Sequence, residues 1–120
     1  MGSARSVSEA DVSTVPAAGD APAVVRVAGE LDLAAVPQIR AAFAAVESED
    51  PRSIAMELTE VTHLDSTGLR VLLESARRAT GEGRRFIVVA PPEGPVGRIL
   101  RLTLLLEHFD VVTNLGAARA

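Results

Sequence analysis

The hydrophobic period of this chain changes abruptly between Ile54 and Ala76. Ile54, Met56 and Leu58 alternate with other residues, the period-2 pattern of a strand with a buried face. Leu69, Leu72, Leu73 and Ala76 then recur at i, i+3, i+4 and i+7, one apolar stripe of a helix, with Arg70, Glu74, Arg77 and Arg78 left for solvent. A strand that feeds a helix in this way is the building unit of layered α/β folds. The joint runs Val61-Thr62-His63-Leu64-Asp65-Ser66-Thr67-Gly68 and delivers one serine, Ser66, to the start of the helix.

Asp, Ser and Thr are favoured where helices begin, because their oxygens accept hydrogen bonds from unpaired first-turn amides. Capping alone is therefore one complete account of the joint. A second account adds that free amides and the positive end of the helix dipole favour a phosphate, so a modified Ser66 is well placed there. Gly68 falls in the first turn, where glycine costs about 1 kcal/mol relative to alanine. Its presence leaves room for another backbone or a nucleotide, or marks tight packing under the preceding loop.

The same alternation recurs along the chain. Residues 11–15 read as a strand, turned by 17–20 into a second at 23–28, where Val24, Val25 and Val27 dominate. Pro37 suits a first helical turn, and Ile39, Phe43 and Val46 recur at helical spacing until Asp50-Pro51 breaks the pattern. Gly81 and Gly83 end the helix that starts at Ser66, 85–90 is a strand, and Pro91-Pro92 closes it. Val96, Ile99, Leu100 and Thr103 form the inner face of a third helix, with Arg98 and Arg101 outside, and 111–113 is a final short strand. The expectation is one α/β domain over 11–120, a mixed sheet of about five strands with helices packed against it, preceded by a small, polar, flexible tail at 1–10.

Three segments, in this order, carry a family resemblance: Gly29-Glu30-Leu31-Asp32 after a strand, Leu64-Asp65-Ser66-Thr67-Gly68-Leu69 at the joint, and Ile99-Leu100-Arg101-Leu102-Thr103 with Phe109 and a closing strand. Together they resemble a STAS domain of the anti-anti-sigma factor (anti-sigma factor antagonist) type. The resemblance implies that the serine directly after the aspartate, here Ser66, is phosphorylated by a partner anti-sigma factor with serine kinase activity, and that a phosphatase resets it. It also raises Asp32, His63, Asp65, Ser66, Thr67 and Gly68 as partner-binding candidates, with Thr67 a competing acceptor. The implied activity is a binding switch: the unmodified surface holds the anti-sigma factor and releases a sigma factor, and the phosphate opposes the complex. The alternative is a non-switching accessory subunit of a transporter or stress-signalling assembly. The sequence departs from the family pattern at Leu104, where a glycine often ends the third helix; Leu104, Leu105 and Leu106 are then core or an apolar patch. Many relatives also continue into a longer final helix than residues 116–120 provide.

Composition supports a small regulator. Hydrophobic residues make up 48% of 120, enough for one core. The formal charge is −4 and Tyr and Trp are absent, against duplex or single-strand nucleic-acid binding. Without cysteine there is no disulfide framework or thiol chemistry. No signal peptide and no membrane span are expected, which makes the cytoplasm the default location. Monomer and weak dimer both remain open.

Catalytic readings fare worse. His63, Asp65 and Ser66 are too close in sequence to converge as a triad, and no Gly-x-Ser-x-Gly elbow occurs. Glu30 and Asp32 read as turn residues, a pair without a third metal ligand. His63 reads as a loop side chain and His108 as a neighbour of Phe109; two histidines without cysteine do not make a metal site. Gly81 and Gly83 lack the Lys-Ser/Thr of a phosphate loop. No enzyme activity and no cofactor are expected. Ser66→Ala is expected to cost at most about 0.5–2 kcal/mol as a lost cap.

Overall fold

The computed structural model describes residues 10–103 and 109–118. These form a six-stranded mixed sheet with three α-helices. The strands are β1 (Asp11–Val15), β2 (Ala23–Leu31), β3 (Ser53–Glu57), β4 (Val61–Leu64), β5 (Arg85–Val89) and β6 (Asp110–Val112). The helices are α1 (Val36–Glu47), α2 (Ser66–Gly81) and α3 (Pro95–Leu102). The expected tail at 1–10 falls almost wholly outside the described residues, as do Leu104, Leu105, Leu106 and His108.

The main path of the sheet is β1-β2-β3-β5-β6, with β4 also paired to β2. β1 runs antiparallel to β2 and every other pairing is parallel. Parallel neighbours need crossovers, and the helices supply them: α1 joins β2 to β3, and α3 joins β5 to β6. Strands covered on both faces read as continuous apolar runs. β3 is accordingly buried at all five positions rather than on one face only. Ile54, Met56, Val25, Val27 and Val88 join Ile39, Phe43 and Leu72 in the main core, while Ala55, Ile87 and Val89 pack with Ala118 in a second cluster. Glu57, buried in this strand, accepts a 2.5 Å hydrogen bond from Arg26 Nε on the neighbouring strand.

A sixth strand exceeds the expected count. In the sequence His63 reads as a loop side chain, and residues 61–64 carry no period-2 signal, since Val61 and Leu64 are not two apart; in the structure they form a strand with Thr62 and His63 exposed. What makes them a strand is β2, nine residues long, which pairs with β3 through Ala23–Arg26 and then with β4 from Gly29 to Leu31. The register shifts between Gly29 and Glu30, where Gly29 takes φ 93°, a conformation that favours glycine. Of the two expected turn residues, Glu30 is thus a strand residue while Asp32 starts a 3₁₀ turn, and His63 lies on β4, opposite Glu30, rather than in a loop.

Two helices differ in the face they bury. On α2 the innermost positions are Gly68, Val71, Leu72, Ser75 and Ala79, whereas Leu69, Leu73 and Ala76 are only partly covered. The small residues let the helix lie close to the sheet, and the Ser75 hydroxyl is satisfied by donating to Val71 O at 2.8 Å. On α3, Val96, Gly97 and Leu100 are buried, but Thr103 is exposed and follows the last turn, its hydroxyl donating to Ile99 O at 2.7 Å. The last element among the described residues is a short 3₁₀ turn, Leu115–Ala117.

Candidate functional site

The two acidic motifs meet because β2 and β4 are parallel neighbours. Leu31 and Leu64 are register partners, so Asp32 and Asp65 leave the same end of the sheet side by side. Each begins a helical turn and caps it. Asp32 accepts from Ala34 N at 3.1 Å, ahead of a 3₁₀ turn at Leu33–Ala35 that leads into α1. Asp65 accepts from Gly68 N at 2.9 Å at the start of α2.

Ser66 is the first residue of α2 and is exposed. The cap at this joint therefore belongs to Asp65, and the Ser66 side chain makes no hydrogen bond among the described residues. Removing the Ser66 hydroxyl therefore loses no cap, against the expectation from helix-start chemistry. Thr67, the competing acceptor, is half-buried. Gly68 is buried, and a Cβ there would lie 2.3 Å from Leu31 O and 2.6 Å from Leu64 Cδ1. Of the readings open for Gly68, close approach of another backbone is the one realised, with the Leu31 and Leu64 side chains packed beside it.

His63 is exposed on the strand that ends at this site. Among the described residues, no group of three or more acidic or histidine side chains converges to hold a metal. None of the described helices is long and apolar enough to cross a membrane.

Two surface features escaped the sequence. Leu33, next to Asp32, is 71% exposed, a large apolar side chain held in solvent at the rim of the site. A groove of about 370 Å³ also runs along α2 from Ser66, lined by Leu69, Arg70, Leu73, Glu74 and Arg77. Leu69 and Leu73, which the sequence spacing joins to Leu72 and Ala76 in one apolar stripe, are only half-buried and line this groove. A larger groove of about 560 Å³ separates α1 from α2 over Ile39, Phe43 and Val71. Its rim is tied by ion pairs: Arg40 lies 3.6 Å from Glu74, and Arg78 donates twice to Glu47 at 2.8 Å. The Glu47 hydrogen bond is the main reason the Arg78 guanidinium holds its proton even more firmly than usual.

The STAS domain family model matches residues 12–118. The chain belongs to the STAS family. This STAS domain is similar to the anti-sigma-B factor antagonist of Staphylococcus aureus (strain NCTC 8325 / PS 47), 27% identical over 87 residues that cover 72% of this chain and 80% of that protein. The Staphylococcus epidermidis anti-sigma-B factor antagonist is 25% identical over the same shares. Among solved structures, an anti-sigma factor antagonist from Mycobacterium paratuberculosis superposes with TM-score 0.78 at 28% identity, covering 94% of this chain and 93% of that one. The unphosphorylated anti-sigma factor antagonist SpoIIAA shares the fold, with TM-score 0.66 at 23% identity over 87% of this STAS domain and 89% of its own chain.

Proposed function

We propose that this STAS domain is an anti-sigma factor antagonist whose binding surface is switched by phosphorylation of Ser66. The observation that carries the reading is the division of labour at the joint: Asp65 holds the helix start, and Ser66 stands exposed beside it with no structural bond to lose. A phosphate there alters a surface while leaving the fold intact. The antagonist names of the staphylococcal and mycobacterial relatives support the class of partner, an anti-sigma factor.

In this reading the unmodified protein presents Asp32, Leu33, His63 and the residues from Asp65 to Thr67 to an anti-sigma factor, which then releases its sigma factor, while the buried Gly68 seats the helix start from beneath. The partner is also the kinase. Ser66 Oγ attacks the γ-phosphorus of ATP, the bond to ADP breaks, and the serine proton passes to a base of the kinase. The product carries about −1.5 to −2 added charges next to Asp65, in a surface that must lose water on binding. Helix dipole and free amides favour the phosphate within the domain, while repulsion, bulk and desolvation oppose the complex. A penalty of about 3 kcal/mol weakens affinity more than 100-fold, which suffices for a switch. Reset falls to a phosphatase, and the chain itself acts as substrate and binding partner in the cytoplasm.

The test is mass spectrometry after incubation with ATP and the candidate anti-sigma kinases of the same genome, comparing wild type with Ser66→Ala. One added phosphate, mapped to Ser66 and lost in the variant, supports the reading. A folded protein that none of them modifies turns it toward a non-switching accessory subunit.

A further inference from the structure

Arg70 follows Ser66 by one helical turn on α2, and both residues line the same groove. Helical side chains lean toward the N-terminus, so a long guanidinium at i+4 reaches back over residue i. Arg70 has no ion-pair partner among the described residues. Its neighbour on the C-terminal side, Glu74, faces Arg40 at 3.6 Å across the other groove. Arg78 of the same helix is committed to Glu47. Arg70 is thus an exposed, uncommitted cation one turn from the hydroxyl.

We propose that Arg70 is the intramolecular counter-ion of phosphorylated Ser66. The inference rests on the phosphoswitch reading and says how the modified state is held. An acidic group four residues before a basic one is the favourable order on a helix, and the planar guanidinium binds phosphate through two parallel N–H donors. The pair keeps the phosphate dianionic to lower pH. It also turns Arg70 inward onto the phosphate, so that modification both adds negative charge and withdraws a cation from the surface offered to a partner.

The test uses the full chain with phosphoserine incorporated at position 66 during translation, so no kinase is required. The second phosphate ionisation is followed by phosphorus-31 NMR, with circular dichroism to confirm folding. Arg70→Gln is expected to raise that pKa by about 0.3 of a pH unit or more. Arg70→Lys should recover part of the difference, Arg77→Gln should leave the titration where it was, and high salt should narrow the gap. An unchanged titration in folded Arg70→Gln, or an equal rise in Arg77→Gln, overturns the pairing. Either result leaves the phosphoswitch itself standing, just as a failure of every kinase to modify Ser66 leaves the measured pairing intact.

Discussion

The Asp65 carboxylate accepts the Gly68 amide at 2.9 Å, spanning the residue on which the proposed switch depends. Structural support and the chemical target are adjacent but separate. Asp65→Ala should lower stability by about 1 kcal/mol in urea denaturation, the usual value of a helix cap, and Asp65→Asn should retain most of it. Ser66→Ala, with no bond to lose, should stay within about 0.5 kcal/mol of wild type. Equal losses for Asp65→Ala and Ser66→Ala would contradict this assignment.

Gly68→Ala sets helix propensity against packing. Alanine gains about 1 kcal/mol in a helix interior, but its methyl would sit 2.3 Å from Leu31 O, a backbone atom held in the β2–β4 pairing. Packing should win, with a net loss of about 1–3 kcal/mol in unfolding free energy, read by urea denaturation. A stabilised variant would mean that β2 yields at this point.

The apolar rows of α2 predict unequal costs for adjacent leucines. Leu72 is fully buried, so Leu72→Ala should cost about 2–5 kcal/mol. Leu73 lines the exposed groove, and Leu73→Ala should cost clearly less. Thermal denaturation of the two variants side by side decides it.

That inequality also shows where sequence reading stopped. Strand and helix were legible at β3 and α2 because alternation gives way to a 3–4 spacing, and the Asp65-Ser66-Thr67-Gly68 joint was legible from the chemistry of helix starts. Which row of α2 turns inward was not, since Leu69 and Leu73 outrank Gly68, Ser75 and Ala79 in hydrophobicity. Close approach to the sheet favours the small residues instead, and Ser75 enters because its own helix accepts its proton. β4 was illegible for a related reason: its existence depends on the second half of β2, a long-range pairing that four residues with Thr62 and His63 at the centre do not announce. The meeting of Asp32 with Asp65 follows from the same pairing.

Leu33 offers a test of the surface free of phosphate chemistry. It is 71% exposed beside Asp32, so Leu33→Ser should leave folding within about 0.5 kcal/mol of wild type. Affinity for the anti-sigma partner should fall severalfold, read by calorimetry. Unchanged binding would remove Leu33 and its rim from the interface.

The phosphoswitch at Ser66 is tested by the dissociation constant of the anti-sigma partner for this protein with serine or phosphoserine at position 66, measured by titration calorimetry at one salt concentration. A complex at least about 100-fold weaker is expected for the phosphorylated form, with both forms equally folded. Equal affinities for the two forms would contradict it.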